Sequence, residues 1–169
     1  MAAITVDNKP SDIIDELKAT IEAATISAVT VFARCDESNS VERFKEKRLS
    51  GLDGKALACI VAGPIEEFVN VTDDRVGNVL SLTIVTASQN TPEADNVLDA
   101  TKLVAAVKNM INGDIPSDAT GFYDNAGEDM ILRLAWGETE QADPDESKPW
   151  VFNEIPLRIA YITTTDTGH

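Results

Sequence analysis

At 169 residues, with 43% hydrophobic and 25% charged side chains, the chain has the make-up of an ordinary globular protein. A fold of this size can bury roughly 70% of its unfolded surface without disulfides or a structural metal, and the two cysteines, Cys35 and Cys59, form no disulfide framework. Lysines and arginines number 14 against 29 aspartates and glutamates, a net charge of −15, which argues against phosphate-backbone binding by the protein as a whole and repels anionic membranes.

In chain order, residues 1–10 read as a short arm without an apolar signal region. Synthesis inside the cell is the expectation. Ser11 is placed to cap a helix over 11–25, with Asp12 at the positive end of its dipole and Ile14, Leu17, Ile21 and Ala24 as its apolar stripe. Ala28 to Ala33, rich in β-branched residues, predicts a strand. The densely charged stretch from Arg34 to Lys55 predicts a long loop or a hairpin arm.

Ala56 to Ala62 is a continuous apolar run closed by Gly63-Pro64, as in a central strand covered on both faces. The longest nearly apolar stretch, Ala56 to Ile65, is too short to span a bilayer. Val79 to Ala87 alternates with period two, a strand with one wetter face. A helix of about twenty residues, ~30 Å long, follows. Thr91 would cap it, Pro92 would take its first position, and Gly113 and Pro116 would end it, with Val97, Ala100, Val104, Val107 and Ile111 facing the core. Met130 to Trp136 and Ile155 to Thr163 alternate as two last strands, separated by an acidic loop over 137–149. The expected fold is one α+β domain over 1–169, a mostly antiparallel sheet of about five strands with two helices packed on it, in the order α-β-β-β-α-β-β.

Few residues point to chemistry. The only histidine, His169, is the last residue, which argues against a His triad, a scaffolded His base and a multi-His metal site. Asp143, Asp145 and Ser147 are spaced like the opening of a calcium loop, but Lys148 stands where the sharp turn needs glycine. Gly54-Lys55 lacks the flanking residues of a phosphate loop. Cys59, in the most apolar strand, reads as an inert core thiol, whereas Cys35 borders the charged segment and could be exposed. No cofactor and no metal are expected, and the protein is read as a non-enzyme. Trp136, Trp150, Phe152 and Tyr161 read as core and sheet-edge packing.

A concentration of positive charge on this acidic chain stands out. Arg43, Lys45, Lys47 and Arg48 fall within six positions, an asymmetry that fits either a solvated loop balanced by Glu42 and Glu46 or a partner contact. In an assembly of identical subunits, this arm could reach the acidic loop of a neighbour, with Glu138, Glu140, Asp143, Asp145 and Glu146 opposite it.

Taken together, the N-terminal Asp12-Ile13-Ile14-Asp15-Glu16-Leu17 helix, the Leu80-Ser81-Leu82-Thr83-Ile84-Val85 strand feeding the long Pro92 helix, and the closing Ile155-Pro156-Leu157-Arg158-Ile159-Ala160-Tyr161 strand resemble the tail terminator or tail completion proteins of Mu-like contractile-tailed phages. The resemblance lies in the order of elements over nearly the whole chain. The charged 34–55 segment and the acidic 138–146 insert are long for that family. It implies a structural virion protein, a homo-oligomeric and commonly hexameric ring at the head-proximal end of the tail. Such a ring stops tube polymerisation, contacts tube, sheath or neck proteins, and is assembled in the host cytoplasm. An acidic channel lining would let DNA pass without sticking, so no sequence-specific nucleic-acid binding and no membrane partner are implied. Two other classes remain open: an acidic intracellular adaptor or nucleic-acid-mimicking inhibitor, and an enzyme using loop carboxylates with a metal.

Overall fold

In a computed structural model, residues 10–47, 55–72, 75–89, 99–114, 123–125, 129–142 and 150–164 are described. Helix α1 (Pro10–Glu22) leads into a small hairpin of β1 (Thr25–Ile26) and β2 (Val29–Thr30), then β3 (Phe32–Ser38), helix α2 (Val41–Glu46) and the long strands β4 (Ala56–Thr72) and β5 (Arg75–Gln89). Helix α3 (Ala100–Asp114) follows, then β6 (Tyr123–Asn125), β7 (Asp129–Trp136), β8 (Glu140–Ala142) and β9 (Trp150–Thr164). The α+β class and the dominance of antiparallel pairing agree with the sequence reading. The helix count, strand count and element order do not, since three helices and nine strand segments are described.

The main sheet runs β3-β4-β5-β9-β7-β6, with β8 pairing to β9 beside that path. β5 is its centre, bonded antiparallel to β4 from Leu57↔Ala87 to Thr72↔Arg75 and to β9 from Arg75↔Thr164 to Gln89↔Trp150. Pro156, which has no N–H to give, sits where the outer side of β9 passes from β8 to β7, and its carbonyl accepts from Gly137 N–H at 2.9 Å. A Cβ on Gly137 would come within 2.8 Å of the Pro156 side chain, so glycine permits this approach.

Most departures from the expected elements fall in the charged stretch. Instead of a loop over 34–55, the chain completes β3 and forms α2, and β3 pairs parallel with β4 from Phe32↔Ala56 to Ser38↔Val61. A parallel neighbour needs a crossover, and the segment containing α2 provides it. The strand expected at 28–33 is displaced because Ser27 (φ 50°) and Ala28 (φ 64°) form the turn of the β1–β2 hairpin. Both residues are left-handed, as a two-residue hairpin turn of this kind requires, but neither is the Asn or Gly that advertises such a turn.

The expected helix ends also move. Pro10 is already helical, a position its fixed φ suits, so Ser11 is not the cap, and α1 stops at Glu22. The second expected helix begins at Ala100, where the Asp99 side chain accepts from Thr101 N–H at 2.9 Å and Lys102 N–H at 3.4 Å. Thr91, Pro92 and Val97 lie outside the described residues. The acidic loop is interrupted by β8, and Cys35 is buried rather than exposed.

Alternation divides the sheet into two faces. On one, α1 and α3 cover Ala56, Ala58 and Ile60 of β4, Leu80, Leu82 and Ile84 of β5, and Ile155, Leu157, Ile159 and Tyr161 of β9. Ile13, Leu17 and Ile21 from α1, and Leu103, Val107 and Ile111 from α3, reach zero exposure there. On the other face, α2 covers Leu57, Cys59, Val85, Ala87 and Phe152 with Phe44. The four aromatic residues pack as expected: Tyr161 and Phe152 are buried, and Trp136 and Trp150 are half-buried against the two clusters. No described helix is long and apolar enough to cross a membrane.

Candidate subunit-contact surface

α2 is six residues long, too short to persist by itself. Ser40 starts it, its Oγ accepting from Arg43 N–H at 3.1 Å. Phe44 anchors it to the sheet, edge-on to Phe152 with ring centroids 6.4 Å apart. This anchoring sets where the basic side chains go.

Lys45 reaches Glu154 on β9 at 3.0 Å and lies over the Phe152 ring, 5.8 Å from its centroid. Glu154 is paired in register with Glu140 on β8, so two carboxylates stand opposite each other beside one ammonium. Lys47 turns to Asp36 on β3 at 2.9 Å, and Arg34 holds the same carboxylate at 3.0 Å. Arg43 is exposed on α2. Glu138 and Glu140 are exposed near the start of β8. Arg48, Asp143, Asp145 and Glu146 lie outside the described residues.

Two of the four basic residues are thus engaged within the chain, one of them beside Glu140. Their receivers, Glu154, Phe152 and Asp36, had no local sequence signal marking them as partners, because Lys45 and Glu154 are separated by 109 positions.

Burial pushes the Asp36 carboxyl up, but hydrogen bonds from Lys47 and Arg34 outweigh it and hold the group below its ordinary value of 3.8. A carboxyl held down in the folded state adds stability above its unfolded pKa and loses it as pH falls through the folded one. Asp36→Asn should therefore reduce stability at pH 6 by a small amount, ~0.5 kcal/mol for so exposed a cluster. The difference from the parent should shrink as pH falls below 3.8 and on through the lowered folded value. Urea unfolding of both proteins at pH 6 and at a series of lower pH values checks both.

For Lys45, replacement by glutamine leaves Glu154 facing Glu140 alone and should cost on the order of 0.5–1 kcal/mol at neutral pH. Adding Glu140→Gln should recover part of that loss, since it removes the like charge. Strict additivity of the two changes in a urea double-mutant cycle would show that Glu140 and Lys45 do not share Glu154.

Beyond α2, no further helix covers the same sheet face among the described residues. A shallow groove of about 350 Å³ runs over Val61, Gly63 and Pro64 of β4, Ser81 and Thr83 of β5, and Pro156 and Arg158 of β9. Gly63 keeps it shallow and the strands close, since a Cβ there would meet the Ser81 carbonyl oxygen at 2.8 Å. At the rim, Arg158 pairs with Glu66 at 3.5 Å, both largely exposed.

Both thiols are pushed up by burial, Cys59 to about 11, which leaves little thiolate at neutral pH. Among the described residues, no three His, Cys, Asp or Glu side chains come together as a cation site. No protein-family model matches the sequence, and no curated protein matches it either.

Proposed function

We propose that the chain is a structural subunit of a phage tail, a terminator or completion protein that joins copies of itself into a ring at the head-proximal end and contacts tube, sheath or neck proteins. The observation that carries the proposal is the one-sided cover of the sheet. Two long helices close one face, while on the other, among the described residues, no element beyond α2 covers Gly63, Ser81, Thr83 and Pro156. A face of small residues on the same side of the sheet as α2, whose Arg43 is exposed, suits a second acidic copy, whose surface it would meet with opposite charge. A net charge of −15 also suits a channel through which DNA slides.

Light scattering on a size-exclusion column at low and moderate salt, with negative-stain imaging, tests this. The expected result is a ring of about six subunits whose mass falls as salt screens the contact. Arg43→Glu with Arg48→Glu is the cleaner charge variant, because Lys45 and Lys47 already hold partners in the chain. An unchanged oligomer mass in that variant would refute the charged contact. A strict monomer at every salt concentration would place the acidic adaptor or inhibitor level with the ring and direct the search to a basic partner.

A further inference from the structure

The β1–β2 hairpin is an uncharged projection on a strongly acidic chain. From Ala23 to Ala33 there is no charged side chain, although 25% of all residues are charged and the net charge is −15. Val31 roots the hairpin, its N–H donating to the Ala24 carbonyl at 3.3 Å and its carbonyl accepting from Ala56 N–H at 2.9 Å. Ile26 packs against the core beneath α1 and α3. Ser27, Ala28, Val29 and Thr30 are all exposed. Val29 is 52% exposed, one of two large hydrophobic side chains left so among the described residues. Ser27 and Ala28 hold left-handed conformations, φ 50° and 64°, without glycine. Their side chains narrow the conformations open to the turn, so Val29 stands on a stiff tip that loses little freedom on docking.

The groove over Val61, Gly63, Pro64, Ser81, Thr83 and Pro156 is the counterpart in size and charge. At about 350 Å³ it is at the small end of binding pockets and suits a tip of small side chains. Among the described residues that line it, Arg158 alone is charged. Two copies carrying −15 each repel wherever their acidic residues meet. An uncharged tip seated beside an arginine avoids that repulsion, and burial of the valine supplies attraction.

Position then decides the kind of contact. Ile26 places the hairpin on the helix-bearing side, at the Ala56 end of β4. Val61, Ser81, Thr83 and Arg158 belong to the opposite face, the one that α2 partly covers, and Gly63 lies ~20 Å further along the strand. A two-fold pair that meets through one sheet face brings groove to groove or hairpin to hairpin, never one to the other. Docking of hairpin into groove is therefore head to tail, the kind of contact that generates rings.

We propose that the β1–β2 hairpin of one copy docks Val29 into the groove between Val61, Thr83 and Pro156 of the next. The proposal rests on the ring reading and names the two halves of its subunit contact.

Two variants and their mixture test this by light scattering. Val29→Asp puts a carboxylate on the tip, and Thr83→Glu puts one in the groove; unchanged urea midpoints would show that both still fold. Where the parent assembles, each variant alone should fall to the mass of one chain. Mixed in equal amounts at high concentration, they should form pairs and nothing larger, because the intact hairpin of Thr83→Glu fits the intact groove of Val29→Asp while the other halves are disabled. An unchanged assembly in either variant, or a mixture that stays monomeric, would overturn the proposal and leave the ring standing. A parent that is monomeric at every concentration would remove the ring and this contact together. Open filaments of the parent that Val29→Asp dissolves would support the contact and remove the ring.

Discussion

Phe44→Ala is expected to detach α2 from the sheet. Phe44 is the one buried side chain of that helix, 2% exposed and packed on Leu57, Cys59, Val85, Ala87 and Phe152. Its truncation removes the transfer energy of the ring and leaves a cavity, about 3–5 kcal/mol for a buried phenylalanine. A six-residue helix with a serine cap cannot absorb that loss, so the opening should be local before it is global. Cys59 reports it. The thiol lies beneath α2 with zero exposure, and burial holds its pKa near 11. At pH 8 only about one thiol in a thousand is ionised. Losing the cover both exposes the sulfur and lowers its pKa, so its reaction with an aromatic disulfide reagent should speed up at least tenfold. Cys35, on the opposite face under α1, serves as the internal control and should react as slowly as before. Equal acceleration of both thiols would mean the whole fold had loosened; acceleration of neither would mean α2 does not guard this face.

The second large effect is expected at Ile84→Ala. Ile84 lies mid-sheet on β5, directly between Ile60 of β4 and Ile155 of β9 on the face beneath α1 and α3. All three have an exposure of 1% or less. Flanked by two strands and roofed by helices, the site has little room to collapse, which places the cost in the upper part of the ~2–5 kcal/mol range for such truncations. Ile84→Val, which removes one methylene, should cost only about 0.5–1.5 kcal/mol. Urea midpoints at constant slope would measure both. Similar losses for the two variants would indicate that the site relaxes around the deleted atoms.

Two kinds of element were legible in the sequence. Continuous or alternating apolar runs marked β4, β5, β7 and β9, because burial of one or both faces imposes that pattern residue by residue. The apolar stripe Ile14, Leu17 and Ile21 marked α1 in the same way. Missed were elements whose stabilisation comes from elsewhere in the chain. α2 is written in charged residues apart from Val41 and Phe44, and it is helical because Phe44 finds a pocket on strands far along the sequence. The β1–β2 turn uses Ser27 and Ala28 in left-handed conformations with no glycine to announce it. The start of α3 at Asp99 was overlooked in favour of Thr91 and Pro92, since several residues along the stretch can cap a helix and local sequence does not rank them.

The candidate surface was half legible. Composition picked out Arg43, Lys45, Lys47 and Arg48 as an anomaly on an acidic chain. It did not reveal that Lys45 and Lys47 are held by Glu154 and Asp36, nor that Glu140 stands next to the first of these pairs.

By itself, then, the sequence determined the class of fold, the strands that carry the core, the inert placement of Cys59 and the charge any partner must meet. These are properties of local pattern and of sums over residues. Only the tertiary structure decided that β3 runs parallel to β4, that α2 covers the second face, and that the pairing of β3 with β4 ends at Val61. Each of these depends on contacts between segments distant in sequence, whose energies are set by register and by side-chain packing that no local window contains.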